Sequence, residues 1–201
     1  MFFDIINACY EKRHVCAIVF YPLPNVGFMI KSSCQGNFLC YFIPTKNNKV
    51  PKMANIFDVS KFILDTIGGG ISTMKLQKLC YYSQAWTLVW TGGQPLFEQD
   101  FQAWRNGPVC EPLFHLHQGK FVISAQDIPY DALEDNLTEE QMLYIQKVVE
   151  FYGKKSADWL SALTHSEAPW KEAREGCGAK DGDSCHAIIT KDSMYNYYSS
   201  L

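Results

Sequence analysis

The sequence predicts a mainly α (α+β) fold, a compact multi-helix domain around one buried central helix with a small β hairpin. Three observations carry this expectation. The stretch Thr73–Trp90, TMKLQKLCYYSQAWTLVW, is apolar nearly all round a 3.6-residue period, so other elements must enclose it. Most segments after Met53 repeat apolar residues at helical spacing. Only Gln94–Trp104 shifts to alternation, with Phe97, Gln99, Phe101 and Ala103 on one side and Glu98, Asp100 and Gln102 on the other.

With 201 residues, 47% of them hydrophobic, the chain can bury a core without disulfide support. Its net charge of -3 is too small to suggest a nucleic-acid binder. Residues 1–52 carry six Lys/Arg and two Asp/Glu, whereas residues 53–201 carry twelve and nineteen. The chain therefore divides into an N-terminal extension, 1–52, and a helical domain, 53–201. The extension reads as an upstream segment from a misplaced start codon or as a variable N-terminal segment, with MANIFDVSKFIL at Met53 resembling a start. The alternative is a small β-rich subdomain with strands at Val15–Tyr21, Gly27–Lys31 and Phe38–Ile43. No secretory signal fits, since Asp4 and Glu11 stand where positive charge is needed and Pro22, Pro24 and Gly27 break the apolar run. That run is also too short to span a membrane. The expectation is a soluble cytoplasmic protein with reduced thiols.

From Met53 onward the elements follow in order. Ile56, Val59, Phe62, Ile63 and Ile67 mark an amphipathic helix ended by Gly68-Gly69-Gly70. The central helix starts at a Ser72 or Thr73 cap and stops at Gly92-Gly93; its polar Lys75, Gln77 and Lys78 are expected at the solvent end. Phe97–Ala103 is expected to pair with Phe121–Ser124. A short helix, Pro108–Gln118, begins on Pro108 and stops at Gly119. Thr138-x-x-Gln141 is a capping box, opening a helix with Met142, Ile145, Val148, Val149 and Tyr152 inward. Ser156 caps Ala157–Leu163, with Trp159, Leu160 and Leu163 inside. After Pro169, Trp170 and Ala173 face in while Lys171, Glu172, Arg174 and Glu175 are solvated. Cys177–Asp183 is a loop, and Thr190 caps a last helix, Lys191–Leu201, packing through Met194, Tyr197, Tyr198 and Leu201.

Chemical motifs are sparse. Cys177, Cys185 and His186, with His165 as a fourth ligand, form the best metal candidate, but seven residues separate the two cysteines where structural zinc sites use shorter pairs. His115 and His117 fall on opposite sides of a helix, and a helix-surface position suits them better than ligation. No G-x-S-x-G, no H-E-x-x-H and no P-loop is present, and Cys80 sits mid-helix as a core residue. Nothing in the pattern calls for a cofactor. Exposed Trp, Tyr and Arg fit a protein-binding surface.

Three segments, KLQKLCYYSQAW (Lys75–Trp86), AWRNGPVCEPLF (Ala103–Phe114) and LTHSEAPWKEAR (Leu163–Arg174), resemble in order and spacing the motifs of the SocA-like antitoxin family, also called the Panacea domain and often described as phage-associated. The likeness covers about Asn55 to Tyr198. It rests on Lys75, Leu76, Gln77, Lys78, Leu79, Tyr81 and Tyr82; on Trp104, Gly107, Pro108 and Val109; and on Thr164, His165, Pro169 and Trp170. Cys80 stands where a leucine is expected and Phe114 where a tyrosine is common.

The resemblance implies a non-enzymatic bacterial or phage protein of a toxin–antitoxin system. It would bind and neutralise a cognate toxin encoded beside it, and one family member acts as a proteolytic adaptor to a AAA+ protease. Gly107 and Pro108 are expected to set a turn, and His165 and Trp170 to tie two helices together. The central Trp86 is expected to be a large buried aromatic. Lys75, Gln77, Lys78 and Arg105 are the expected partner-binding residues. Two readings from other classes stay open: a metal- or thiol-dependent hydrolase using His165 with Cys177, Cys185 or His186, and a DNA-binding autoregulator.

Overall fold

The computed structural model describes residues 18–23, 27–34, 37–44, 54–129, 136–180 and 182–201. The chain separates into two compact units, Met1–Val50 and Pro51–Leu201. The first contains an antiparallel meander of β1 (Ile18–Leu23), β2 (Gly27–Cys34) and β3 (Asn37–Pro44), in that order. Ile18 lies opposite Ser32, and Gly27 opposite Pro44. Pro22, which has no N–H for a ladder, lies in the edge strand β1. Residues 15–17 of the first expected strand, and the N-terminal acids Asp4 and Glu11, lie outside the described residues.

The second unit begins with α1 (Ile56–Ile67). Asn55 caps it by accepting the N–H groups of Phe57 and Asp58, while Asp58 accepts from Asn55 N at 2.9 Å, and Gly68 at φ +73° ends it. Strand β4 (Ile71–Ser72) leads into α2 (Thr73–Thr91), capped by Ser72 Oγ and closed by Gly92 in the left-handed conformation. Leu76, Leu79, Cys80, Tyr81, Tyr82 and Ala85 on α2 are fully buried. Helix α2 is packed on by α1, α4 (Glu139–Tyr152), α5 (Ala157–Ser166) and α7 (Lys191–Tyr198). The expected capping box of α4 is present, with Thr138 N donating to Gln141 Oε1 at 2.8 Å and Gln141 N to Thr138 Oγ1 at 3.2 Å. Among the described residues no helix is long and apolar enough to cross a membrane.

The β elements differ from expectation. Strand β5 (Phe101–Trp104) reverses through Arg105-Asn106 to pair with β6 (Gly107–Val109), and on its other side it pairs with β8 (Ile188–Ile189). The expected partner, β7 (Val122–Ile123), instead pairs with β4. A two-residue reversal closes with far less chain than a return after twenty residues, and Gly107 at φ +98° supplies the backbone angle the reversal needs. Pro108 is consequently a strand residue. Helix α3 (Glu111–His117) starts later, with Pro112 taking the early helical position foreseen for Pro108.

Other corrections concern burial. The solvent end of α2 is not its start: β6 and α3 pack there, so Gln77 and Lys78 are 2% and 1% exposed, while Trp90 at the far end is 39% exposed. Trp86 is only partly buried, its Nε1 donating to Tyr152 Oη at 3.0 Å. Trp159 in the first turn of α5 is outside, at 42% exposure, and Leu201 lies beyond the end of α7 in solvent. Arg174 of α6 (Ala168–Gly176), expected in water, is buried because three carbonyls receive its guanidinium. His117, expected on the surface, is buried against Gln77.

Candidate partner-binding hairpin

The main chain from Ala103 to Cys110 is gripped by side chains from three helices, α2, α5 and α6. Arg174 Nη1 donates to Ala103 O at 3.1 Å and Trp170 Nε1 to Trp104 O at 3.0 Å. Ser161 Oγ reaches Asn106 O at 3.1 Å, and Lys78 Nζ reaches Pro108 O at 3.0 Å. Gln77 embraces Cys110, donating from Nε2 to its carbonyl at 3.2 Å and accepting its N–H on Oε1 at 2.9 Å. Buried polar groups must be satisfied, and here those of the helices satisfy the hairpin's backbone. Two turns further along α2, Gln84 repeats the device on Phe97, accepting its N–H at 3.3 Å and donating to its carbonyl at 2.9 Å.

Gly107 lies where these groups converge. A Cβ there would stand 2.7 Å from Lys78 Nζ and 2.8 Å from Thr164 Oγ1, so the residue serves both backbone angle and close approach. His165 stacks on Trp170 with ring centres 4.2 Å apart, tying α5 to α6 as expected from the sequence. The Arg174 guanidinium lies 5.0 Å from the Trp170 ring centre. Leu76, Leu79, Tyr81, Tyr82, Pro169 and Val109 are buried framework.

The site's electrostatics follow from burial. Desolvation lowers the Lys78 ammonium to about 7. Burial also lowers His117, whose Nε2 accepts from the Gln77 amide nitrogen at 3.0 Å, fixing the tautomer with the proton on Nδ1. Between α5 and α6, Glu167 is pushed up to about 7 by burial, against the opposing pull of hydroxyl donors Tyr198 at 2.6 Å and Tyr82 at 3.1 Å. Sequence reasoning missed Glu167, Ser161, Asn106 and the inward Arg174. Local periodicity carried no signal for them, since each is placed by a partner far away in sequence or by the turn.

The tip itself is open. Arg105 and Asn106 are exposed, and a cleft lies on each side. One, of about 260 Å³, is lined by Met74, Trp104 and Phe114; the other, of about 660 Å³, by His165, Trp170 and Lys171. Of the four expected contact residues, Arg105 is at this tip. Lys75 is elsewhere, donating to Gly153 O at the end of α4, and Gln77 and Lys78 are buried anchors rather than surface.

The hydrolase constellation does not assemble. Cys177 and Cys185 are joined as a disulfide, with their Cα atoms 6.9 Å apart, which corrects the expectation of reduced thiols there. His186 Nδ1 lies 2.9 Å from Gln102 Oε1, and His165 is committed to Trp170. Among the described residues no group of three or more His, Cys, Asp or Glu is placed to hold a metal ion.

Residues 76–171, which include the hairpin and most of its anchors, match the family model described as Antitoxin SocA-like, Panacea domain. The chain is also 29% identical over 146 residues to Antitoxin SocA of Caulobacter vibrioides (strain NA1000 / CB15N), covering 66% of this chain and 77% of that protein. Over its helical unit the chain is similar to the SocA-like antitoxin family. No solved structure matches it. Within this helical unit, the three motif segments are distant in sequence and meet around one hairpin. Arg174, which holds Ala103, lies just beyond the matched residues.

Proposed function

We propose that residues 53–201 form a protein-binding module that neutralises a cognate toxin encoded beside it, and that the Arg105-Asn106 tip contributes to the contact. The observation that carries this reading is the division of labour at the hairpin: the motif side chains are spent on its main chain, leaving the tip's own side chains outward on a fixed support. A pre-organised loop of this kind binds with little ordering cost. Arg105, with Lys171 beside the larger cleft, suits an acidic patch on the partner, within a standard interface of roughly 1,600 Å².

Co-expression with the neighbouring reading frame tests the proposal. The neighbour should arrest growth alone and be harmless with this chain, and Arg105→Glu should restore arrest without loss of folded protein. A neighbour that stays toxic beside the wild-type chain would refute it. Delivery of the toxin to a AAA+ protease is the finer form of the same reading. It requires the toxin's half-life to shorten when this chain is present, and an unchanged half-life with full neutralisation would leave direct blocking as the mechanism.

A further inference from the structure

A second surface stands apart from the hairpin tip. Leu143, Lys147 and Phe151 are spaced by four along α4, which puts them in one row on the helix surface. Lys155 in the following turn and Trp159 in the first turn of α5 extend the row, and Trp90 flanks it from the end of α2. Leu143 is 49% exposed, Phe151 62%, Trp159 42% and Trp90 39%. Four large apolar side chains in one neighbourhood exceed what scattered surface hydrophobics require.

Lysines are threaded through the row. Lys155 Nζ lies 4.9 Å from the Trp159 ring centre and 5.9 Å from that of Phe151, and Lys147 Nζ lies 5.4 Å from that of Trp90. Lys75 joins them at the end of α4 through its 2.6 Å bond to Gly153 O. None of the three is among the ion pairs of the described residues, so their positive charge is unspent on carboxylates. With Lys154, four lysines stand along the stripe from Lys147 onward; Glu150 and Asp158 lie among them, and Glu139 and Glu140 stand at the Leu143 end, where Glu140 accepts from the Tyr144 hydroxyl.

We propose that this stripe docks an acidic amphipathic helix from a protein partner. Leu143 to Phe151 spans two turns, about 12 Å at 1.5 Å per residue, a length that apolar anchors at i, i+3 or i+4 and i+7 on a facing helix would match. The lysines would receive carboxylates flanking those anchors, which sets the partner's sign and its orientation. Glu150 and Asp158 disfavour an anionic lipid sheet, which cannot arrange itself around two fixed negative charges. A helix can place neutral or basic side chains opposite them.

The test uses the full chain and a fluorescently labelled synthetic helix with Leu at four-residue spacing flanked by Glu, together with the same peptide carrying Lys for Glu. Fluorescence anisotropy should show the Glu peptide binding about ten-fold or more tightly than the Lys peptide. Phe151→Ala with Trp159→Ala should remove most of that affinity, and Lys147→Glu with Lys155→Glu should reverse the peptide preference. Circular dichroism should be unchanged in both double variants, since all four residues are at the surface, and Arg105→Glu should bind like wild type. Equal affinity for the two peptides, or binding that survives Phe151→Ala with Trp159→Ala, would overturn the proposal. So would binding of phosphatidylglycerol vesicles in place of the peptide, or a wild-type dimer in sedimentation that the same apolar double variant dissolves.

Discussion

The Nζ of Lys78 lies 3.0 Å from the carbonyl oxygen of Pro108, inside the domain and almost wholly out of water. Burial brings this ammonium from 10.5 down to about 7, so between those values the unfolded chain binds a proton that the native one does not. Stability should therefore rise with pH from about 7 to 10.5, by an amount on the order of a few kcal/mol. Lys78→Met orphans the Pro108 carbonyl at roughly 1–3 kcal/mol but removes the titration. Urea unfolding at pH 6 and pH 10 should show the variant's deficit shrinking toward the acid side. A deficit independent of pH would mean that the amine stays hydrated.

Glu167 acts with the opposite sign. Burial raises it from 4.5 to about 7, so in that window the native state holds the proton and the unfolded state does not. Its stabilisation is complete below about 4.5 and is lost as pH rises through 7. Glu167→Gln keeps an acceptor for Tyr82 and Tyr198 and should gain on wild type by roughly 2–3 kcal/mol between pH 5 and pH 8. With both groups present, unfolding free energy against pH should pass through a minimum near 7.

Gly107→Ala should be the costliest of the glycine substitutions at positive φ. Gly68 and Gly92 also have positive φ, but a Cβ at either meets nothing within 4 Å, so about 1 kcal/mol of backbone cost is expected there. At Gly107 the methyl must displace both Lys78 Nζ and Thr164 Oγ1, and a loss of about 3 kcal/mol or more is expected. Thermal melting of the three variants would rank them.

Trp170→Ala removes a buried ring together with its bond to Trp104 O, its stack on His165 and its contact with Arg174; a loss of about 3–5 kcal/mol should follow. Trp170→Phe keeps an aromatic face and should lose about half as much. The half-buried Trp86 should cost less on truncation to Ala than Trp170 does.

Much of the helical fold was legible. The bounds of α1, the Ser72 cap and Gly92 stop of α2, the Thr138–Gln141 box and the Ser156 and Thr190 caps all follow from local rules that need no tertiary contact. The polar residues placed wrongly in solvent share one cause. Gln77, Lys78, Arg174 and His117 carry polar groups that periodicity assigns to solvent, and each was drawn inside by an acceptor or donor far away in sequence. The hairpin's partner strand was misjudged because alternation marks a strand without saying what it pairs with. At the candidate site, Arg105 was readable as exposed, and the His165–Trp170 tie as a link between helices. The stripe on α4 was not, since periodicity turns Trp159 inward and leaves Phe151 outside the packing face.

Every anchor on the hairpin recognises a carbonyl, at Ala103, Trp104, Asn106, Pro108 and Cys110, and a carbonyl is common to all amino acids. The lock is blind to what the two turn residues display. Arg105 and Asn106 could be exchanged for a different pair while the same five oxygens stay in place, much as a tool is changed in a fixed handle. Under the proposed function, re-targeting would be a matter of rewriting a two-residue tip, with glycine at 107 left alone.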